Sequence, residues 1–139
     1  MPALHKIDDD IRLITTIWCG EASDSELIDA LLKYQRDIKG RFGYSSYNEI
    51  VDFSNASGFT LSTNGIRQLA QIAAKTDVQG TKTKLAIITG SLMAFGLGRM
   101  YEAYRSLLPR VSKDVRVFKN HREALEWIES KAGNPDIDP

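Results

Sequence analysis

After residue 48 the chain repeats one pattern three times: a short apolar run, a polar turn, then apolar residues at helical spacing. The runs are residues 49–54 with Ile50, Val51 and Phe53, residues 85–89 with Leu85, Ala86, Ile87 and Ile88, and residues 115–118 with Val115, Val117 and Phe118. Each is too short for a buried helix and rich in β-branched or aromatic residues, so each is expected to be a strand. Strands alternating with helices require a mostly parallel sheet joined by right-handed crossovers, because a parallel pair cannot be closed by a hairpin.

The helices between the strands announce their starts. Ser62 precedes Ile66, Leu69, Ala70 and Ala73, the buried stripe of a helix ending near Lys75. Gly90 and Ser91 lead into Met93, Leu97, Met100, Tyr104 and Leu107, a stripe stopped by Pro109. Asn120 and Glu123 cap a last helix packed through Ala124, Leu125, Trp127 and Ile128. Side-chain oxygens at these starts satisfy amides that a helix leaves unpaired. The 85–89 run is nearly all apolar, as a covered parallel strand should be. The 115–118 run carries Arg116 between two valines and reads as an edge strand.

Upstream, residues 4–7 and 11–20 read as a hairpin across Asp8, Asp9 and Asp10. Alternation places Ile11, Leu13, Thr15 and Ile17 on one face of the second strand and Ile14 and Trp18 on the other, so that strand is expected inside the sheet, with Cys19 buried near its end. Ser23 and Glu26 have capping-box spacing ahead of a helix over 24–39, with Leu27, Leu31, Tyr34 and Ile38 inward and Ile28 and Leu32 widening the stripe. Residues 41–48 read as a loop whose Phe42, Tyr44 and Tyr47 cover the core edge; residues 55–61 read as a second loop and 77–84 as a third. Residues 1–131 are expected to form one α/β domain and 132–139, with Gly133, two prolines and two aspartates, a disordered tail.

Composition narrows the function. Eighteen Lys and Arg balance eighteen Asp and Glu, without the basic excess a nucleic-acid binder uses to displace counterions. No apolar run approaches the ~20 residues of an integral membrane segment, and the start of the chain lacks a signal-peptide pattern. The lone Cys19 forms no internal disulfide, which suits a cytoplasmic setting.

Three stretches resemble the SpoIIAA-like or STAS superfamily, the domain shared by sulphate transporters and anti-sigma-factor antagonists. They are Ile50 to Gly58, Met93 to Ala103, and Val115 to Phe118 followed by Glu123 to Ile128. Their order and spacing cover nearly the whole chain apart from the tail, and the phrase around Phe95 to Tyr101 with the closing Ala124-Leu125-Glu126-Trp127 is similar to an uncharacterised bacterial branch. The resemblance implies an N-terminal hairpin followed by strand–helix units wound as a β–α superhelix, and a regulatory module acting through an unidentified protein partner. In the best-known members a serine at the start of a helix is phosphorylated within an Asp-Ser-Ser-Gly-like motif. Ser62 falls near that place, but Phe59 to Gly65 lack the acidic residue and the Ser-Gly pair.

Candidate chemistry is sparse. His5, His121 and Cys19 do not have metal-ligand spacing, and no nucleophile elbow is present, so neither a metal, a cofactor nor a catalytic set is assigned. Asp52, near a strand end, is expected to bond loop amides rather than act as a base; Glu49 flanks the same strand. Gly96 and Gly98 lie inside a helix, where they favour close packing over phosphate binding. The ligand-binding candidates are Ser62, Gly90 and Ser91 at the carboxyl edge of the sheet, where helix N-termini favour anions, with Arg99 deeper in the helix. The leading expectation is therefore a non-enzymatic protein-binding module. The alternative is a sensor for an anionic or lipid-like molecule, and an enzyme would need Asp52, Ser62 and Arg99 to converge. A homodimer through Phe95, Leu97, Met100, Tyr101 and Tyr104 is a further expectation.

Overall fold

The computed structural model describes residues 2–41, 43–78, 82–108 and 112–130. Phe42, Pro109 and the tail expected from residue 132 lie outside them. The elements are β1 (Ala3–Asp8), β2 (Leu13–Ser23), α1 (Asp24–Tyr34), β3 (Asn48–Thr60), α2 (Thr63–Ala74), β4 (Thr83–Ile88), α3 (Leu92–Leu107), β5 (Lys113–Phe118) and α4 (His121–Glu129). The sheet runs in sequence order, β1-β2-β3-β4-β5, with β1 antiparallel and the rest parallel. No described helix is long and apolar enough to cross a membrane.

That order dictates where the helices go. Each crossover steps one strand in the same direction, so right-handed connections stack α1, α2 and α3 on one face. The chain ends by folding α4 back over the other. There Leu13, Ile50, Ala86 and Ile88 bury against Ala124 and Ile128. Lys84 is buried on this face, and its ammonium donates to Trp127 O at 2.8 Å and Ser130 O at 2.7 Å. A cation on the last carbonyls of α4 both satisfies them and complements the helix dipole.

The expected caps are present. Ser23, Ser62, Ser91 and Asn120 each accept from the amide three residues on, in Glu26, Gly65, Ala94 and Glu123. Five expectations change. The first helix is α-helical only to Tyr34 and continues as a π-helical turn, Gln35–Lys39. The segment 55–61, polar enough to read as a loop, is instead strand through Thr60, because β2 also runs on and pairs with it from Cys19↔Asn55 to Ser23↔Thr60. Register shifts between Ile17 and Cys19 and between Gly20 and Glu21 absorb extra residues in β3. Cys19 is exposed, not buried, since it sits in this irregular stretch. In α3 the buried stripe is Ala94, Gly98 and Arg105, whereas Met93 and Leu107 are exposed. Gly98 packs as expected: a Cβ there would come within 3.0 Å of Val117 Cγ1. Gly96, expected to pack closely, is instead exposed with open space around it.

Gly20 holds φ at +92° at the second shift, and a Cβ there would meet nothing. Gly20→Ala should therefore cost about 1–2 kcal/mol through backbone strain alone. A fall in the urea midpoint with unchanged slope is the expected outcome.

Candidate functional site

Period-two alternation sets the site. On β3 it puts Glu49, Val51 and Phe53 on the face covered by α1–α3, and on β5 it puts Lys113, Val115 and Val117 there. Glu49 and Lys113 are thereby forced inward among apolar neighbours, at 8% and 6% exposure. They meet: Lys113 Nζ lies 2.5 Å from Glu49 Oε1. The end of α1 brings Tyr34, whose hydroxyl donates to Glu49 Oε2 at 2.6 Å. The π-helical turn brings Lys39, its ammonium 3.6 Å from Glu49 Oε1 and donating to Tyr44 O at 3.2 Å.

Burial by itself would raise the Glu49 pKa. The Lys113 ammonium, then Lys39, and the hydrogen bonds from Lys113 and Tyr34 outweigh it, and the carboxyl is held at about 2. Burial lowers the Lys39 pKa against the pull of Glu49. The Tyr34 hydroxyl is raised by burial and by the adjacent carboxylate. Beside this cluster Arg105, on the inward stripe of α3, forms a bidentate pair with Asp77 at 2.8 and 3.0 Å. Burial pushes the neighbouring Tyr101 hydroxyl up to about 12.

Tyr34, Glu49, Lys113, Arg105, Asp77 and Tyr101 form the floor of a cavity of about 190 Å³ between the sheet and α1, α2 and α3, and Lys39 lies outside its lining. Its walls are mostly apolar: Val51, Phe53 and Ile87 from the sheet, Leu31 from α1, Leu69 from α2 and Leu97 from α3. Trp18, Phe53 and Phe59 make a run of tilted and edge-on ring contacts, at 6.2 and 5.6 Å between centroids. His5 contributes a polar spot, with Nδ1 2.7 Å from Thr16 Oγ1 and its pKa lowered by burial. Among the described residues three buried side-chain polar atoms lack a hydrogen-bond partner, and two of them, Thr89 Oγ1 and Arg105 Nε, belong to residues of the cavity wall. A second hollow of about 310 Å³ lies between β1 and α1 and shares Ala3, His5, Ala30 and Tyr34 with the cavity.

None of Ser62, Gly90, Ser91 and Arg99 lines this cavity. Ser62 caps α2 and donates to Asp24 Oδ2 at 2.6 Å, while its amide donates to Asp24 Oδ1 at 3.0 Å. Ser91 caps α3 and Gly90 is exposed beyond β4. Arg99 is exposed and pairs with Glu102 at 3.5 Å. Asp52 faces the α4 side of the sheet, paired in register with Ile88, and accepts from the Ser54 amide at 2.8 Å. Asp52, Ser62 and Arg99 are not brought together in it. Arg105, Lys113, Lys39 and Asp77 went unread in the sequence. The signal for two of them was a charge on an otherwise inward pattern: Lys113 before Val115 and Val117, and Arg105 seven residues after Gly98.

The fold has a solved counterpart. An uncharacterised protein of the DUF3478 family from Shewanella loihica, described as having a SpoIIAA-like fold, aligns with a TM-score of 0.54. The alignment covers 91% of each chain at 13% identity. The fold is SpoIIAA-like. No protein-family model matches the sequence, and no curated protein does. The β–α superhelix implied by the three resembling stretches is thus present, while at this identity the counterpart speaks to architecture alone.

Two predictions come from the site. Glu49→Gln leaves two buried ammonium groups without their carboxylate and should cost about 3–5 kcal/mol in urea unfolding. In the native sequence the folded pKa of Glu49, about 2, lies below its reference value of 4.5. Its stabilisation is therefore complete above about pH 4.5 and is lost as pH falls toward 2; acid unfolding should be less steep in the Gln variant. Separately, a Cβ at Gly65 would collide with the Asp24 carboxylate. Gly65→Ala should cost about 1 kcal/mol by displacing that shared cap, and close to nothing in an Asp24→Ala background, a coupling readable in a double-mutant cycle.

Proposed function

We propose that this chain is a non-enzymatic binding domain whose ligand is a small, largely apolar molecule held between the sheet and α1–α3. The observation that carries the reading is the cavity itself. Small-molecule sites are concave and mostly apolar with a few polar groups, and this partly open cavity of about 190 Å³ has apolar walls with the Thr89 hydroxyl and Arg105 Nε unpartnered on them. An apolar cavity of ~150 Å³ suffices for a benzene-sized guest, so the size suits one ring or a short chain. The non-enzymatic part is supported by the floor: Glu49 is held ionised between Lys113, Lys39 and Tyr34, and Asp77 is committed to Arg105, so neither carboxylate is poised as a base.

Thermal-shift titration with phenol, indole, hexanol and 2-phenylethanol tests this. A probe at a hundred times its dissociation constant should stabilise the fold by about 2.7 kcal/mol. Ala73, on the α2 side of the cavity, offers the control. Ala73→Phe should fill the space, retain cooperative unfolding and abolish the shift. A shift that survives in Ala73→Phe would mean that the probes bind elsewhere.

A second reading is favoured by Leu92 and Met93, which stand 80% and 60% exposed on the first turn of α3 beside Gly90 and Ser91. Apolar side chains on a helix apex suit a protein partner, the means by which a STAS-like regulatory module would act in the cytoplasm. Ser62 would then serve as its modifiable residue, since a phosphate there would confront Asp24 and break the shared cap. Leu92→Asp should weaken capture of such a partner and leave ligand-induced stabilisation intact.

A further inference from the structure

The two ends of the cavity are not alike, and the difference bears on what the ligand must carry. Lys113 and Arg105 line the floor with the carboxylates Glu49 and Asp77, and Lys39 stands beside Glu49 outside the lining. All three cations are almost fully buried, at 5%, 6% and 2% exposure. Asp77 is matched by Arg105 in a two-point pair, so the surplus positive charge belongs to the Glu49 cluster, where one carboxylate serves two ammonium groups. Buried charge without a partner is costly, and the cost is offset only by an opposite charge with good hydrogen bonds.

The leftover hydrogen-bonding capacity at the floor points the same way. Arg105 Nε has no acceptor within hydrogen-bond distance, though the Tyr101 hydroxyl neighbours the same guanidinium, and an ammonium such as Lys113 has three donors and no acceptor. The floor therefore needs acceptor atoms carrying negative charge. Walls of Val51, Ile87 and Leu69 require the rest of the molecule to be apolar. Thr89, just past the end of β4, lies four residues beyond Leu85, roughly 13 Å at ~3.3 Å per residue, so its hydroxyl belongs to the far end and does not answer the floor.

We infer that the ligand is a small carboxylic acid, its carboxylate seated between Lys113 and Arg105 and its ring or short alkyl chain running between the sheet and α1–α3. This rests on the cavity being the ligand site, as proposed above. A carboxylate there balances the cluster, accepts from the guanidinium and ammonium in charge-assisted bonds, and leaves Tyr34 on Glu49.

The test compares acids with alcohols of the same skeleton at pH 7. Hexanoate and phenylacetate should bind the full chain at least roughly tenfold tighter than hexanol and 2-phenylethanol in calorimetric titration, the scale of one charge-assisted bond. Hexylamine should not bind. Lys113→Met keeps the apolar stem and removes one cation, and it should bring acid and alcohol affinities together. With carboxyl-labelled hexanoate, the bound carboxyl should titrate below its free value by NMR, a readout that needs no variant. Alcohols binding as tightly as acids, or a bound carboxyl titrating at or above its free value, would overturn the carboxylate assignment and leave the apolar-ligand reading standing. Failure of every acid and every alcohol to bind would overturn both. Full acid preference in a folded Lys113→Met protein would displace the carboxylate from this floor.

Discussion

A carboxylate stays ionised in an apolar interior only when cations come in with it, and Glu49 draws in two from distant parts of the chain. Lys113 arrives on the edge strand, Lys39 on the turn that ends α1, and Tyr34 supplies the remaining hydrogen bond. The placement of the outer strand and of the first helix is thus tied to one side chain. The π-helical turn takes its place in this account. It carries Lys39 to the carboxylate after α1 has delivered Tyr34, so both residues reach the same group from one continuous helical segment.

Much of the architecture was legible because its signals are local. Ser23, Ser62, Ser91 and Asn120 each cap the helix expected of them. The apolar run at Leu85 is fully buried, and the valine-arginine alternation of β5 marks an edge. What escaped depends on tertiary partners. The stretch of Asn55, Ser57 and Gly58 has the composition of a loop and becomes strand because β2 runs beside it. The stripe of α3 was misplaced by weighting Met93 and Leu107 over Gly98 and Arg105, since a glycine and an arginine do not look like core residues until a valine and an aspartate are known to meet them. The cavity was not legible at all. A void is a property of distances between surfaces, and no residue spacing encodes it.

The uneven clothing of the sheet follows from its winding. One face carries three helices and the cavity; the other carries α4 over β3, β4 and β5, with Leu4 of β1 59% exposed. The two faces are accordingly built differently. The α4 side is an apolar cluster of Leu13, Ile50, Ala86 and Ile88, closed by Ala124 and Ile128, with buried Lys84 tied to the end of α4. The other side mixes apolar walls with buried charge. The first is the kind of core that resists compression and gives the sheet its rigidity, and the second has a shape that can be filled.

The roof over that space is fastened at both ends. At their N-termini α1 and α2 share the Asp24 carboxylate through Ser62, and near their far ends Gln35 Nε2 donates to Ile72 O at 2.6 Å. These ties hold α1 and α2 side by side over the sheet. Along β1 the hollow of about 310 Å³ adjoins the cavity past His5 and Tyr34, whose rings lie 5.0 Å apart. A molecule entering the cavity from that hollow would pass between these two rings.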